Sequence, residues 1–509
     1  MIVTQSSTTV TDFLLEGKED TRVALRLLDR DHNYGELQSA SADVAKYVVQ
    51  AGGQKGDRAI LVSENSLFWV ATYLGILQAG LVCVPLPTSL SPEDLDYILQ
   101  ITEARFAFLQ QAFTTRNASH FAREILVTDR DVRLPNVPAA LTFANLRSQA
   151  SHIDPALPAV YPDDLAALMF TSGSTGRPRG VMVSHANIMA NTESIIEYLG
   201  LTERDRMMDV LPFHYCFGTS LLHTHLRVGG SLVIDARFMY PEAVLQRMLD
   251  AKCTGFAGVP SHFQILLRNS SLRTKRFPYL RHVQQAGGHL APNFIRELRE
   301  ALPGTQVFIM YGQTEATARL SYLPPEFLDT KLGSIGKGIP GMKLRVLNAS
   351  GDEASPGEIG EIVAEGESVT LGYWRAPEES AASFRDGKLY TGDMATLDKD
   401  GFIFVVDRAK DFLKCGGERV SCRHLEDRLL EFEDLLEAAV IGVPDDVLGE
   451  AVKAFVVPRK ADSARVEERL RLFCKEHMPY QHVPREIVVV PALPKNSGGK
   501  VLKQILKTL

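Results

Sequence analysis

Cysteine is scarce in this 509-residue chain, and its spacing pairs none of it. The six, Cys83, Cys216, Cys253, Cys415, Cys422 and Cys474, form no C-x-x-C motif and are scattered along the sequence. That pattern points to reduced, mostly buried thiols in a cytoplasmic protein. Cys415 and Cys422 stand close together, yet no second nearby pair completes a tetrahedral metal set. An excess of positive charge is also missing, since the formal net charge is −7. A non-specific nucleic-acid binder or a polybasic membrane anchor is thereby excluded, whereas an anionic small ligand is not. The opening residues MIVTQSSTTV have neither a basic flank nor an apolar core, so no secretory signal is expected. The final KTL is not a peroxisomal address. One apolar run, FWVATYLGILQAGLVCVPLP (68–87), has the length of a bilayer span. Gly80 splits it, and Pro85 and Pro87 end it, so the pattern predicts buried helix, turn and strand and no membrane span. Internal repeats and low-complexity tracts are absent too.

What is present is a chain longer than one typical core, so two or more domains are expected. Its 45% hydrophobic and 23% charged content is ordinary for a globular protein. Helical patterns alternate with short β-branched runs such as RAILVSE (58–64), GSLVIDA (230–236), TQVFIMYG (305–312) and KLRVLNASG (343–351). Strands interleaved with helices predict layered α/β architecture with largely parallel sheets. After Asp352 the texture turns β-rich with hairpin spacing, which predicts a smaller β subdomain. Beyond Arg408 a run of helix, strand, strand, helix and strand predicts a separate small α+β lid, with the boundary in DRAKD (407–411).

The densest chemical signal is TSGSTGRPRG (171–180), where seven of ten residues are Gly, Ser or Thr and two are arginine. Small side chains expose backbone N–H groups, and with hydroxyls and cations these make a nest for phosphate oxygens. A flexible linker is the competing reading. LAALMF before the loop and GVMVS after it both read as strands, and Ser184 then caps a helix ended by Gly200. A strand-to-strand loop excludes a Walker A loop, which leads into a helix, and no G-x-G-x-x-G marks a dinucleotide fold.

TSGSTGRPRGVMVSH resembles the signature loop of the AMP-forming adenylating superfamily, which contains acyl- and aryl-CoA ligases, stand-alone adenylation domains and luciferases. Arg179 stands where the usual form has lysine, a planar fork in place of a compact ammonium. Five further segments match in order. They are LPFHYCFGTS (211–220), QQAGGHLA (284–291), MYGQTEA (310–316), YTGDMATLDKDGFIFVVDRAKDFLKCGGERVS (390–421) and LPKNSGGKVLK (493–503). The resemblance runs from about Leu14 to the end.

The resemblance implies ATP-dependent activation of a carboxylic acid to an acyl adenylate, with pyrophosphate released, and then transfer to a thiol. Attack of one anion on another requires both to be neutralised and aligned. It implies that Thr171, Ser172, Gly173, Ser174, Thr175 and Gly176 hold the departing phosphates with Arg179. Glu315 would ligate Mg²⁺. Gly287, Gly288, Tyr311, Gly312, Gln313 and Thr314 would line the adenine and phosphate site. Asp393 would take the ribose hydroxyls, aided by Arg408, and Lys414 would belong to the nucleotide-binding set. Phe213, His214, Tyr215, Phe217, Gly218 and His289 would form the substrate pocket, with His214 as its gate toward the thiol. Lys500 would bridge carboxylate and α-phosphate as the catalytic ammonium. Residues 1–409 would form the nucleotide- and carboxylate-binding domain and 410–509 a mobile lid rotating at Lys410. Rotation would bring Gly416 and Gly417 in to line a thiol tunnel.

Two departures bear on the thiol acceptor: Gly416 replaces a lysine common in aryl-CoA ligases, and Cys422, Arg423 and His424 alter the following motif. The acceptor is CoA or, alternatively, the phosphopantetheine of a separate carrier protein. LPFHYCFGTSLL has no acidic residue to hold an α-ammonium, which argues against a standard α-amino acid. The crowding of Phe213, Tyr215 and Phe217 points to a short or ring-shaped acid. A non-catalytic nucleotide binder or a luciferase-like oxygenase is the third reading. Intact Glu315, Asp393 and Lys500 argue against the first, and no feature indicates oxygen chemistry.

Overall fold

A computed structural model describes residues 8–121, 124–132, 140–172, 177–408, 411–415, 418–445, 449–459, 465–495 and 499–508. Among them the strands form four sheets, of nine, seven, five and five strands. The two large sheets have parallel centres. In the first, Gln306–Tyr311, His282–Gln285, Gly255–Gly258, Arg206–Asp209, Ser231–Ile234 and Val23–Arg26 run parallel side by side, with antiparallel strands at both edges. In the second, Arg58–Val62 lies between Val82–Leu86 and Phe106–Leu109, and the hairpin of Leu165–Ser172 with Pro178–Ser184 closes one edge. Helices Tyr34–Gln50, Leu67–Gln78, His185–Leu199 and Cys216–Val228 share one apolar core with strands of both sheets. A second layer, including Pro241–Asp250, Pro260–Asn269 and Pro292–Ala301, covers the far face of the nine-stranded sheet.

Local sequence explains the elements that frame the site. The run 68–87 is the buried helix Leu67–Gln78, a turn at Gly80 with φ +70°, and the buried strand Val82–Leu86. Among the described residues no helix is long and apolar enough to cross a membrane. Ser184 caps His185–Leu199 by accepting from the Asn187 N–H, while Asn187 returns a bond to the Ser184 N–H. Gly200 ends that helix in the left-handed region at φ +58°.

One expectation is corrected here. The sequence places the run 343–351 in the α/β alternation, but Met342–Leu347 pairs antiparallel with Gly360–Gly366 and starts the five-stranded antiparallel subdomain. A β-branched run looks alike in either sheet, and only its partner tells them apart. The subdomain ends in the hairpin Lys388–Leu397 with Ile403–Arg408. The C-terminal domain then adds an unexpected hairpin, Phe412–Cys415 with Glu418–Ser421, before the expected helix Cys422–Leu430. Its long strands Leu435–Asp445 and Gly449–Pro458 follow, then helix Val466–His477 and strand Glu486–Val489. A half-buried ion pair, Lys503 to Glu426 at 2.7 Å, ties the last helix to Cys422–Leu430. Glu426 raises Lys503 against the effect of burial, whereas burial raises Glu426 against the opposing pull of Lys503.

Candidate active site

The expected site residues of the large domain sit where parallel strands of the nine-stranded sheet end. The chain winds outward from Arg206–Asp209 to Ser231–Ile234 on one side and then to Gly255–Gly258 on the other, so the strand order reverses there. Ligands of open α/β sheets bind at the carboxyl ends of strands beside such a reversal. Leaving these ends are the segment carrying Phe213, His214 and Tyr215, then Val259, then Gly287 and Gly288, and finally Gly312 to Glu315. The hairpin of the seven-stranded sheet supplies Thr171 opposite Arg179 and Ser172 opposite Pro178. Gly173, Ser174, Thr175 and Gly176 lie outside the described residues, as does the Ser172 side chain.

Across this cleft runs a chain of polar contacts that sequence reasoning missed. The Arg179 guanidinium lies 5.4 Å over the Tyr373 ring, and the Tyr373 hydroxyl donates to Glu315 Oε1 at 2.8 Å. Burial first, then the Glu315 charge, pushes the Tyr373 phenol up, so it stays a donor. Tyr373 arrives because Gly372 and Trp374 exchange backbone hydrogen bonds with Met182 and Gly180 on the hairpin edge. An aromatic in LGYW gives no sequence signal of this role. The second Glu315 oxygen has no hydrogen bond to another described residue. One fixed and one available carboxylate oxygen suit a hard divalent cation.

A second polar chain links the large domain to its β subdomain. The Tyr311 hydroxyl donates to Asp393 Oδ2 at 2.6 Å, and Arg408 Nε lies 3.3 Å from Asp393 Oδ1. Asp393 and Arg408 are register partners in adjacent strands. Burial and then Asp393 push the Tyr311 phenol well above its ordinary range. Gly312 is required here: a Cβ would lie 1.9 Å from the Ala318 carbonyl oxygen. Beside it, Gln313 Nε2 is buried without a partner among the described residues. Thr314 Oγ1 is 3.5 Å from Cys216 Sγ.

The expected acid pocket is braced from below. Asn65 Oδ1 accepts from the Phe213 N–H, and Asn65 Nδ2 donates to Asp209 and to the Leu211 carbonyl. The His214 ring lies 4.6 Å from that of Tyr215, tilted by 46°, and burial lowers its imidazole to about 4, so it is neutral near pH 7. Phe217 and Gly218 begin the helix Cys216–Val228. A Cβ on Gly287 would meet Val259 at 2.9 Å and Phe217 at 3.9 Å, which keeps this turn flush with the pocket wall.

The C-terminal domain reaches the same wall. A Cβ on Gly499 would lie 2.9 Å from the other methyl of Val259 and 3.7 Å from Ser261 Oγ. Lys500 therefore follows a residue seated on the valine that Gly287 touches. Lys414 is exposed on the lid hairpin, its N–H donating to Glu450 Oε2 at 2.7 Å. Lys410, Gly416 and Gly417 lie outside the described residues. His289 differs from the expectation of a pocket-lining residue. Its Nε2 lies 2.8 Å from Asp427 Oδ1, and Arg423 donates to its Nδ1, so both ring nitrogens are taken by the helix Cys422–Leu430. A carboxylate and a guanidinium side by side satisfy an imidazole better than an apolar wall does. Of the cysteines, five are buried and Cys216 is partly exposed; among the described residues no His, Cys, Asp and Glu cluster could hold a metal.

This arrangement matches known proteins over nearly its whole length. A family model described as AMP-binding enzyme matches residues 16–374, and one described as AMP-binding enzyme C-terminal domain matches 424–500. The chain belongs to the AMP-binding enzyme family. It is 29% identical over 504 residues to a long-chain-fatty-acid–CoA ligase of Salmonella typhimurium, covering 93% of this chain and 89% of that one. It is 30% identical to an oxalate–CoA ligase of Arabidopsis thaliana, covering 91% and 90%. Among solved structures it resembles an anthranilate CoA ligase in complex with anthranoyl-AMP, with TM-score 0.89, 25% identity and coverage of 99% and 97%. It also resembles o-succinylbenzoate coenzyme A synthetase from Bacillus subtilis in complex with ATP and magnesium, with TM-score 0.82, 28% identity and coverage of 97% and 99%.

Proposed function

We propose that this chain is an AMP-forming acid–thiol ligase that activates a carboxylic acid with ATP and passes the acyl group to CoA. The observation that carries the reading is the convergence on Val259: Gly287 from the large domain and Gly499, next to Lys500, from the lid abut the same side chain. In this reading the ammonium of Lys500, next to Gly499, reaches into the cleft where two negative groups must meet. Glu315, fixed by Tyr373, would hold Mg²⁺, which when bound neutralises phosphate charge and polarises phosphoryl oxygens. Asp393 accepts from sugar hydroxyls, exchanging the Tyr311 hydroxyl for them. Tyr311 and the glycine turn at Gly287 and Gly288 give the base a flat approach. The neutral His214 guards the acid pocket without adding charge beside the reacting carboxylate.

The thiol step needs Lys500 withdrawn, and rotation of 410–509 about Lys410 accomplishes that in this reading. CoA is the favoured acceptor because the relatives named above are CoA ligases along nearly their full length. The test is ATP–pyrophosphate exchange over a panel of carboxylic acids, followed by CoA or a phosphopantetheinyl carrier protein as acceptor. Exchange with at least one acid, and its loss by at least about a thousandfold in Lys500→Ala, is expected. Exchange undiminished in that variant would overturn the role of Lys500. Thioester formation on a carrier protein but not on CoA would replace the acceptor.

A further inference from the structure

Among the described residues Arg319 is the one cation in the wholly buried set, at 1% exposure. Several other deeply placed charges among the described residues have a counter-charge or shed their own. Asp205 pairs with Arg281 at 2.9 Å, Asp235 with Arg237 at 2.6 Å, and Lys503 with Glu426. Asp209 is pushed up to about 8 by burial and is neutral at pH 7. Arg319 has no such relief. Its guanidinium lies 4.1 Å over the Phe217 ring, its Nε is 3.4 Å from Met310 Sδ, and one terminal nitrogen is buried with no partner among the described residues. Tyr198, which shares a side-chain hydrogen bond with Arg319, and Cys216 are both held protonated by burial, so neither supplies a counter-charge. An uncompensated buried charge costs several kcal/mol on the order-of-magnitude scale for such groups, so something must balance it in the working enzyme.

Its position says what. Arg319 lies four residues beyond Glu315, with its Cα 2.9 Å from the place a Gly312 Cβ would occupy. The Phe217 ring on which it stacks is the ring that faces Gly287 and hence the acid pocket. We infer that Arg319 is the counter-charge for a second carboxylate on the substrate, so that the chain activates one end of a dicarboxylic acid while the other end is held by this guanidinium. The inference rests on the acid–thiol ligase reading above. A planar guanidinium donates two parallel hydrogen bonds to a carboxylate, and burial in a low-dielectric site strengthens them. A monocarboxylic acid of the same size would leave the cation unpaired and be rejected.

The test compares aliphatic and aromatic dicarboxylic acids, each beside its methyl half-ester, in ATP–pyrophosphate exchange with the wild-type chain, Arg319→Met and Arg319→Lys. The wild type is expected to favour the better diacid over its half-ester roughly a hundredfold in kcat/KM. Arg319→Met is expected to erase that preference, chiefly through KM, while retaining exchange with the half-ester; Arg319→Lys is expected to keep part of it. The melting temperature of Arg319→Met should hold or rise, because an unpaired buried charge has been removed. A merely structural arginine would instead lower it and leave the preference intact, which would overturn the inference. Equal use of diacid and half-ester by the wild type would also overturn it, even if the variants fail to fold. Exchange with no acid of any kind by a chain that melts normally would remove the ligase reading itself, and this inference with it.

Discussion

Tyr373 shows how one hydroxyl can decide what a carboxylate does. Its bond to Glu315 Oε1 aims the other oxygen away from the ring, and Arg179 steadies the ring from above. A hydrogen bond to a charged group contributes about 1.5–3 kcal/mol. Tyr373→Phe is therefore expected to lower kcat/KM of exchange roughly tenfold or more and to raise the Mg²⁺ concentration needed for half-maximal rate. Titration of Mg²⁺ against exchange rate checks both. Buried imidazoles supply a second residue-scale prediction. Burial lowers His185, His214 and His262 to about 4, and His223 and His282 to about 3, from an ordinary value of 6.5. Their folded values lie below the unfolded one, so the unfolded chain takes up more protons in acid. The support they give is full above about pH 6.5 and drains away as the pH falls toward 4. Each histidine contributes a slope of about 1.4 kcal/mol per pH unit inside that window. Thermal melts at pH 7 and pH 5 should show a clear drop, and a flat profile would contradict the burial of these rings.

At the scale of elements, the site is made by what happens immediately after each parallel strand. Strand Gln306–Tyr311 ends in a turn so close to the 318–319 backbone that only glycine fits at 312. Gly312→Ala is expected to cost at least about 3 kcal/mol, because the clash is with backbone that cannot rotate aside. Gly304→Ala makes the control: φ is +82° but nothing lies within 4 Å, so only the backbone strain of about 1–2 kcal/mol remains. Urea unfolding of the two variants separates a steric cost from a conformational one, and equal losses would show that the turn at 312 relaxes freely. The hairpin of Leu165–Ser172 with Pro178–Ser184 is secured differently. Its second strand is bonded on one side to its partner strand and on the other to the Gly372–Trp374 segment of the subdomain. The edge of a sheet is thus covered by the very segment that delivers Tyr373.

For the whole molecule, the question is how the two domains hold their present relation. Direct hydrogen bonds across the boundary include His289 with Asp427 and Arg423, Asn293 Nδ2 to the Leu430 carbonyl at 2.9 Å, and Arg459 to the Arg268 carbonyl at 3.3 Å. His289 is the centre of this contact, and burial followed by Arg423 lowers its imidazole, so the neutral ring donates to Asp427 and accepts from Arg423. Asp427→Ala is expected to slow adenylate formation several-fold by loosening the pose that sets Gly499 on Val259. Transfer from preformed acyl adenylate to CoA should be spared or quickened. Single-turnover measurement of each half-reaction checks this, and equal losses in both would show that the contact only supports the fold.

The sequence alone determined the strand and helix identities that frame the cleft, and the order of its motifs. Periodicity, a Ser cap and a Gly stop act within a few residues, so they are written locally. Glycine-rich turns at 287, 288 and 312 were legible for the same reason. Tertiary structure decided the partners: Tyr373 for Glu315, Asp393 for Tyr311, Asp427 for His289 and, for Arg319, an aromatic ring with no counter-charge beside it. Those pairings join residues 58, 82 and 138 positions apart, and which of them meet depends on sheet order and on where the second domain rests. The antiparallel placement of Met342–Leu347 was hidden likewise, because a strand carries its own pattern but not the name of its neighbour. The burial of Arg319 follows from two helices and a strand closing over one side chain, a cost that no short stretch of sequence displays.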